Sequence, residues 1–508
     1  MLYRLYSSSR ISGPMTARIL ARIPPERLAA VGARRALRLF RTAAKSVPAY
    51  RDFLEAHGIR PEDIRTIGDF ESRLPATDKG GYVNRYTLAA RCLHGRFPAD
   101  GLVEESSGSF CGRPTNWVRS AREEKPYVSL MKTILGYLYP VEKGEELIIL
   151  NGFALGAWAG GLAFSRRAGP WGLIKNIGPD AGKIIRTMLD LGTGGTYLVS
   201  GYPPFLRRLA EAGLKTPGFD WKEYRVHLYS GGEGFAEGWR EYMAAQLREG
   251  ARIFSTYGAI DLEAGIAMET PVTIAIRRLL DSDPATRREL LGTERSPCFF
   301  GTYSPMNFHI SEAVGPAGAK ELVVTVLNSG AATPKIKYNI GDEGGVIPFR
   351  RMADVLKRRE QDILKMASSP GGSVVVPFPF LYVLGRSDGT VSIEGSNIRV
   401  SDVHEAIFSD PELASKVGTF KLAVETEPDA SLRLYVYVEA REGVAIEEAW
   451  KARCAEVVVS RILASNECFR RSCLENPETT APRVIFLLFR AGVFTKEETL
   501  LKHNYMKR

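Results

Sequence analysis

Cysteine is scarce: six residues in a chain of 508, at positions 92, 111, 298, 454, 468 and 473. None forms a CxxC pair or follows zinc-ligand spacing, which excludes a disulfide framework and a structural zinc module. A reduced, cytoplasmic chain is the simple expectation. There is no GxxxxGK[ST] stretch, so a P-loop is excluded. No Lys/Arg run interleaves with aromatics, which argues against nucleic acid as a partner. No apolar core follows Arg4, so a secretory signal is not expected. Residues 147–164 carry no charge but include Asn151, Gly152, Gly156, Gly160 and Gly161. A buried strand, a turn and a packed helix fit that composition better than a membrane span.

What is present reads as globular, with 44% hydrophobic and 25% charged residues. Single cores stop growing near roughly 250–300 residues, so this length calls for more than one structural unit. The formal net charge is +10, and much of the excess lies early: residues 1–45 hold nine arginines against one acid, Glu26. An organelle transit peptide has that composition, with Ser7, Ser8 and Ser9. Two amphipathic surface helices broken at Pro24 and Pro25 have it too, and an anionic membrane surface would attract either.

Residues 25–87 read as helical. From 103 to 254, apolar runs such as 147–150 and 226–229 alternate with helical stretches such as 234–248, which predicts α/β architecture with largely parallel sheets. Residues 321–327 read as a central strand. Residues 367–373 form a breaker-rich loop. Beyond Gly385, strand and helix signals (432–438, 403–408, 446–465) predict a small α+β domain.

Five segments carry chemistry. Glu105-Ser-Ser-Gly-Ser-Phe-Cys-Gly-Arg-Pro-Thr115 offers backbone N–H groups and hydroxyls to a phosphate tail, with Arg113 as fixed charge. In Ser230-Gly-Gly-Glu233, two glycines let the backbone pass close to a flat ligand. Phe254-Ser-Thr-Tyr-Gly-Ala-Ile-Asp-Leu-Glu263 sets an aromatic ring beside a glycine turn, then two carboxylates of the kind that hold Mg²⁺ near a triphosphate. Tyr338-Asn-Ile-Gly-Asp342 places an Asp where it can accept from two ribose hydroxyls. Leu384-Gly-Arg-Ser-Asp388 is the fifth.

In order and spacing these segments resemble the adenylate-forming ligases, and Val47-Pro-Ala-Tyr-Arg51 with Asp52-Phe-Leu-Glu55 resembles the opening of the phenylacetate–CoA ligase and coenzyme F390 synthetase branch. The resemblance implies a large N-terminal adenylation domain over 1–384 and a small mobile lid over 385–508. It implies ATP, Mg²⁺ and coenzyme A as cofactors, and a carboxylic acid of the aryl or arylacetic kind as substrate. Trp158 and Tyr202 are compatible with such an acid. An amine or a carrier-protein thiol stands as the alternative acceptor, a non-catalytic nucleotide binder as the alternative activity, and a homodimer is compatible with the family.

The resemblance also assigns roles. Ser106, Ser107, Gly108, Ser109, Gly112 and Arg113 would form the phosphate loop. Gly231, Gly232 and Glu233 would wall the adenine, with Tyr257 and Gly258 between adenine and acyl group. Asp261 and Glu263 would stand at the metal, and Asp342 at the ribose. Arg386 would act near phosphate or ribose, Asp388 as hinge, and Lys502 as catalytic lysine, with Lys496 and Lys507 behind it. The chain departs from the family in the extra bulk of Phe110-Cys111, in Arg113 for the commoner Lys, and in lacking a glycine before Lys502.

Overall fold

The computed structural model describes residues 3, 6, 11–106, 115–139, 141, 144–156, 159–315, 318–366, 374–387, 390–393, 396–408, 410–427, 432–465, 467–475 and 477–495. They divide into two compact units. One comprises the described residues up to Ser106 and Thr115–Gly385; the other runs from Arg386 onward.

The large unit opens with helices α1 (Gly13–Ala21), α2 (Pro25–Ser46) and α3 (Pro48–Ala56). Prolines at the first helical positions start all three where the missing N–H costs nothing. A short antiparallel ribbon follows, β1 (Leu102–Ser106) on β2 (Thr115–Arg119). Helix α4 (Ala121–Leu138) comes next, entered through a capping box in which Ser120 and Glu123 satisfy each other's backbone N–H.

The main sheet has eleven strands. Its first half is parallel, as the alternation of apolar runs and helices predicted: β3 (Leu147–Asn151), β4 (Leu173–Asn176), β5 (Thr196–Gly201), β6 (Arg225–Gly231) and β7 (Ile253–Ala259), in the order β7-β6-β5-β3-β4. Strand β3 and helix α5 (Ala159–Ala168) account for the uncharged stretch. No helix among the described residues is long and apolar enough to cross a membrane.

The second half is not parallel. Strands β8 (Glu263–Met268), β9 (Phe299–Thr302), β10 (Phe308–Val314), β11 (Lys320–Val326), β12 (Tyr338–Ile347) and β13 (Phe380–Arg386) pair in the order β10-β11-β12-β13-β9-β8, with antiparallel ladders at β7/β8, β9/β13, β10/β11 and β11/β12. Short turns such as 260–262 reverse the chain there instead of a crossover helix. Strand β11, expected to be central, lies one place in from the sheet edge. Strand alternation cannot distinguish those positions when the neighbouring β10 covers it.

In the second unit, β14 (Val391–Ile393) and β15 (Ser396–Ile398) pair, and β16 (Val417–Thr426), β17 (Leu432–Ala440) and β18 (Arg483–Leu487) form a three-stranded sheet. Phe420 and Leu434 of this sheet cluster with Val403 of helix Val400–Phe408, Trp450 of helix Glu448–Ser465 and Phe469 of helix Glu467–Glu475 in a core of its own.

Candidate active site

Parallel strands β6 and β7 end side by side, with Gly231 opposite Thr256. Ligands of open α/β sheets bind outside such carboxyl ends. A Cβ at Gly231 would lie 2.8 Å from the Thr256 methyl, and Gly232 has φ +88°, so both positions require glycine. Gly231, Gly232 and Gly258 line a cavity of about 330 Å³ in the large unit. Its other walls are mostly apolar: Met131, Ile134 and Tyr137 from α4, Phe153 and Phe164 around α5, and Phe378 before β13. Helix α1 closes part of the wall with Ala17 and Leu20. Arg167 is the charged residue among its walls, and that guanidinium is engaged by Glu124 and Glu263, each at 2.8 Å.

Next to Gly258, Tyr257 donates its Oη to the Asp342 carboxylate at 2.6 Å. Asp342 is buried and follows Gly341, whose φ of +79° makes the turn; Asn339 Oδ1 accepts from the Gly341 N–H at 2.8 Å. One hydrogen bond thus joins two motifs that are 85 residues apart. Glu233 is buried beyond the Gly231-Gly232 turn.

The two carboxylates expected at a metal differ. Asp261 is buried and receives Lys79 Nζ at 3.0 Å and the Trp117 indole N–H at 2.7 Å. It can supply the single carboxylate that a phosphate-bound Mg²⁺ uses. Glu263 does not fit that role. It lies 1% exposed between Arg167 at 2.8 Å and Arg119 at 3.5 Å. Burial alone would raise its pKa, but the two guanidinium groups outweigh that and hold the carboxyl at about 2. Glu263, expected at a metal, stands in this structure as a buried counter-ion to two guanidinium groups. Among the described residues no group of three His, Cys, Asp or Glu could hold a metal.

Around Glu263 is a cluster that the sequence did not disclose. Arg119 pairs with Glu104 at 3.0 Å and Glu123 at 3.6 Å, and donates to the carbonyls of Ile260 and Leu262 at 2.9 and 3.0 Å. These last bonds fix the turn that carries Asp261. Lys335 is buried with its ammonium 4.6 Å above the Trp117 ring; burial, and then the charge of Arg119, push its pKa down to about 7. No single segment marks these partners, because Glu104, Arg119, Glu123, Arg167, Glu263 and Lys335 are spread over more than 200 residues of chain and meet only in the fold.

Of the phosphate loop, Ser106 is described: it ends β1, buried, 3.3 Å from Lys79 Nζ. Ser107, Gly108, Ser109, Gly112 and Arg113 lie outside the described residues, as do Asp388, Lys496, Lys502 and Lys507. Arg386 is the last residue of β13, half-buried. Trp158 is likewise outside the described residues, and Tyr202 packs on Phe205 and under Arg208 instead of lining the cavity.

No family model matches the sequence. The chain is similar to a phenylacetate-coenzyme A ligase of Aromatoleum evansii, with 22% identity over 416 residues covering 77% of this chain and 80% of that protein. Its structure is similar to that of a 2-hydroxyisobutyryl-CoA ligase solved with 2-HIB-AMP and CoA, at TM-score 0.61 and 16% identity, covering 96% of this chain and 90% of that one. The same ligase in a postadenylation state gives a TM-score of 0.52. The chain has the fold of the adenylate-forming CoA ligases. In this ligase fold, Gly231, Gly232 and Gly258 line one apolar cavity, and Tyr257, next to Gly258, is hydrogen-bonded to Asp342.

Proposed function

We propose that the protein is an acid–thiol ligase that activates a carboxylic acid with a large apolar body as its acyl-adenylate and passes the acyl group to coenzyme A. The observation that carries this reading is the adjacency at one turn: Gly258 lines the apolar cavity while Tyr257 beside it binds Asp342. An apolar acid in the cavity would present its carboxylate toward a nucleotide whose ribose hydroxyls donate to Asp342. At roughly 30 Å³ per water-sized group, 330 Å³ admits a body of about ten non-hydrogen atoms. With its guanidinium already neutralised, Arg167 offers no charge to a distal acid group, which favours monocarboxylic substrates.

In the first step a carboxylate oxygen attacks the α-phosphorus of ATP and pyrophosphate leaves; in the second a thiolate attacks the acyl carbon and AMP leaves. Mg²⁺, held by phosphate oxygens and Asp261, would neutralise the charge on the phosphates. Residues 106–109, 112 and 113 would cradle those phosphates, Gly231, Gly232 and Glu233 would wall the adenine, and Arg386 and Lys502 would supply further positive charge, with Asp388 as the hinge. The phenylacetate-coenzyme A ligase relative and the neighbour solved with 2-HIB-AMP and CoA support this reading.

The test is pyrophosphate release with ATP, Mg²⁺ and a panel of acids graded in apolar bulk, with and without coenzyme A. Release that depends on acid, is strongest for bulky apolar acids and is accompanied by loss of free thiol is the expected result. Release without thiol consumption would move the acceptor to another nucleophile. Silence across the panel from folded protein rejects acid activation.

A further inference from the structure

Helix α2 divides its residues sharply between two faces. Leu28, Gly32, Ala36, Leu39, Phe40, Ala43 and Ala44 are buried. At 100° per residue they centre on one side of the axis, while Arg27, Arg34, Arg38, Arg41 and Lys45 fall within about 40° of a single line on the other. All five of those cations are exposed. None of the five has an ion pair among the described residues. Glu26, the acid of this stretch, is taken by Arg350. Arg34, Arg38, Arg41 and Lys45 also border one shallow hollow on the surface.

The stripe is held rigidly. A Cβ at Gly32 would stand 2.0 Å from the Pro305 carbonyl oxygen, so the helix rests backbone-close on the body of the large unit. Arg35, between the two faces, turns inward: its guanidinium sits 3.4 Å from the Tyr3 ring centroid and donates to the Leu327 carbonyl. A line of cations roughly 27 Å long therefore faces solvent along a straight element. Charge without a partner at this density costs self-repulsion, and an anionic surface relieves it.

We infer that the outward face of α2 docks on an anionic phospholipid surface. The helix's aromatic residue, Phe40, is buried, so the face has no ring on which nucleic-acid bases would stack. Two exposed apolar side chains on segments adjoining α2 suit a bilayer. Met15 of α1 is exposed, and so is Phe97, two residues past the turn Leu93–Gly95 that packs against α2. Helix α1, joined to α2 at 22–24, also forms part of the wall of the apolar cavity. Docking through α2 would bring that wall to the layer in which apolar acids concentrate.

The experiment is flotation of the full chain with vesicles of phosphatidylcholine alone or mixed with phosphatidylserine, at low and at high salt. Flotation with the mixed vesicles only, weakening with salt, is expected. Each cation near such a surface contributes about fivefold to affinity, so the combined Arg34→Gln, Arg38→Gln, Arg41→Gln and Lys45→Gln variant should lose on the order of a hundredfold or more. A charge-matched control, neutralising Arg186, Lys215, Lys222 and Arg248, should lose far less, and an unchanged melting curve shows that both variants fold. Absence of flotation, equal flotation on neutral vesicles, or equal loss in the control would each overturn the inference. So would tighter binding to an oligonucleotide than to the mixed vesicles.

Discussion

On the two sides of the turn between β7 and β8 the protein solves opposite problems. On one side lies the cavity, bounded by Gly258, Met131, Ile134 and Phe378, where side chains are apolar and space is left open. On the other, Arg119, Glu104, Glu123, Glu124 and Glu263 are packed into a buried lattice of ion pairs, with Arg167 at the border between lattice and cavity. An apolar cavity excludes water from a reacting carboxylate but does little to hold a loop in place. Directional bonds from Arg119 to the Ile260 and Leu262 carbonyls do hold it. Buried ion pairs are weak contributors to net stability, yet breaking one strands its partners. The difference teaches that position here comes from charge, and selectivity from shape.

Removing the central carboxylate should break the comparison most severely. Glu263→Gln leaves Arg119 and Arg167 short of a buried counter-charge, and we expect about 3 kcal/mol or more of lost stability by denaturant titration. An unchanged midpoint would remove the cluster's structural role. Next is Asp342→Ala, expected to weaken ATP or AMP binding by about 2–3 kcal/mol in calorimetry while the melting temperature moves little. If affinity holds, the nucleotide lies elsewhere.

On the apolar side, Leu20→Trp should cut kcat/KM about tenfold for the bulkiest acids accepted and leave small acids nearly untouched. A uniform loss across acids would place Leu20 outside the specificity wall. A pH-dependent effect concerns Lys335. Below about 7 its amine is charged in folded and unfolded chains alike. Above that value the folded chain releases its proton first, the unfolded chain binds more protons, and stability rises with pH toward the ordinary lysine range. Lys335→Met should flatten that rise between about pH 7 and 9 in thermal melts; parallel curves would assign the slope to another group.

The glycine turn after β6 was legible because it carries its own local cause, a backbone that must pass close at Gly231 and turn left-handed at Gly232. The cavity was not, since Leu20, Met131 and Phe378 are ordinary core residues until the fold leaves a space among them. Asp261 and Glu263 looked alike as two carboxylates two apart. Only partners more than 90 residues upstream distinguish them: Lys79 and Trp117 reach one, Arg119 and Arg167 the other. The antiparallel half of the sheet was missed for a similar reason, because turns such as 260–262 are too short to leave a strong signal.

Glu123 belongs to both sides. Its carboxylate caps the Ser120 N–H at the start of α4, accepts from the Ala332 N–H at 2.9 Å and faces Arg119. Two to four turns further along, the same helix presents Met131, Ile134 and Tyr137 to the cavity. Burial raises the pKa of this carboxyl above the ordinary glutamate value. Neutralising it would loosen the first turn of a helix whose later turns wall the cavity, so a single charge at the foot of α4 is mechanically linked to the shape of the space two to four turns away.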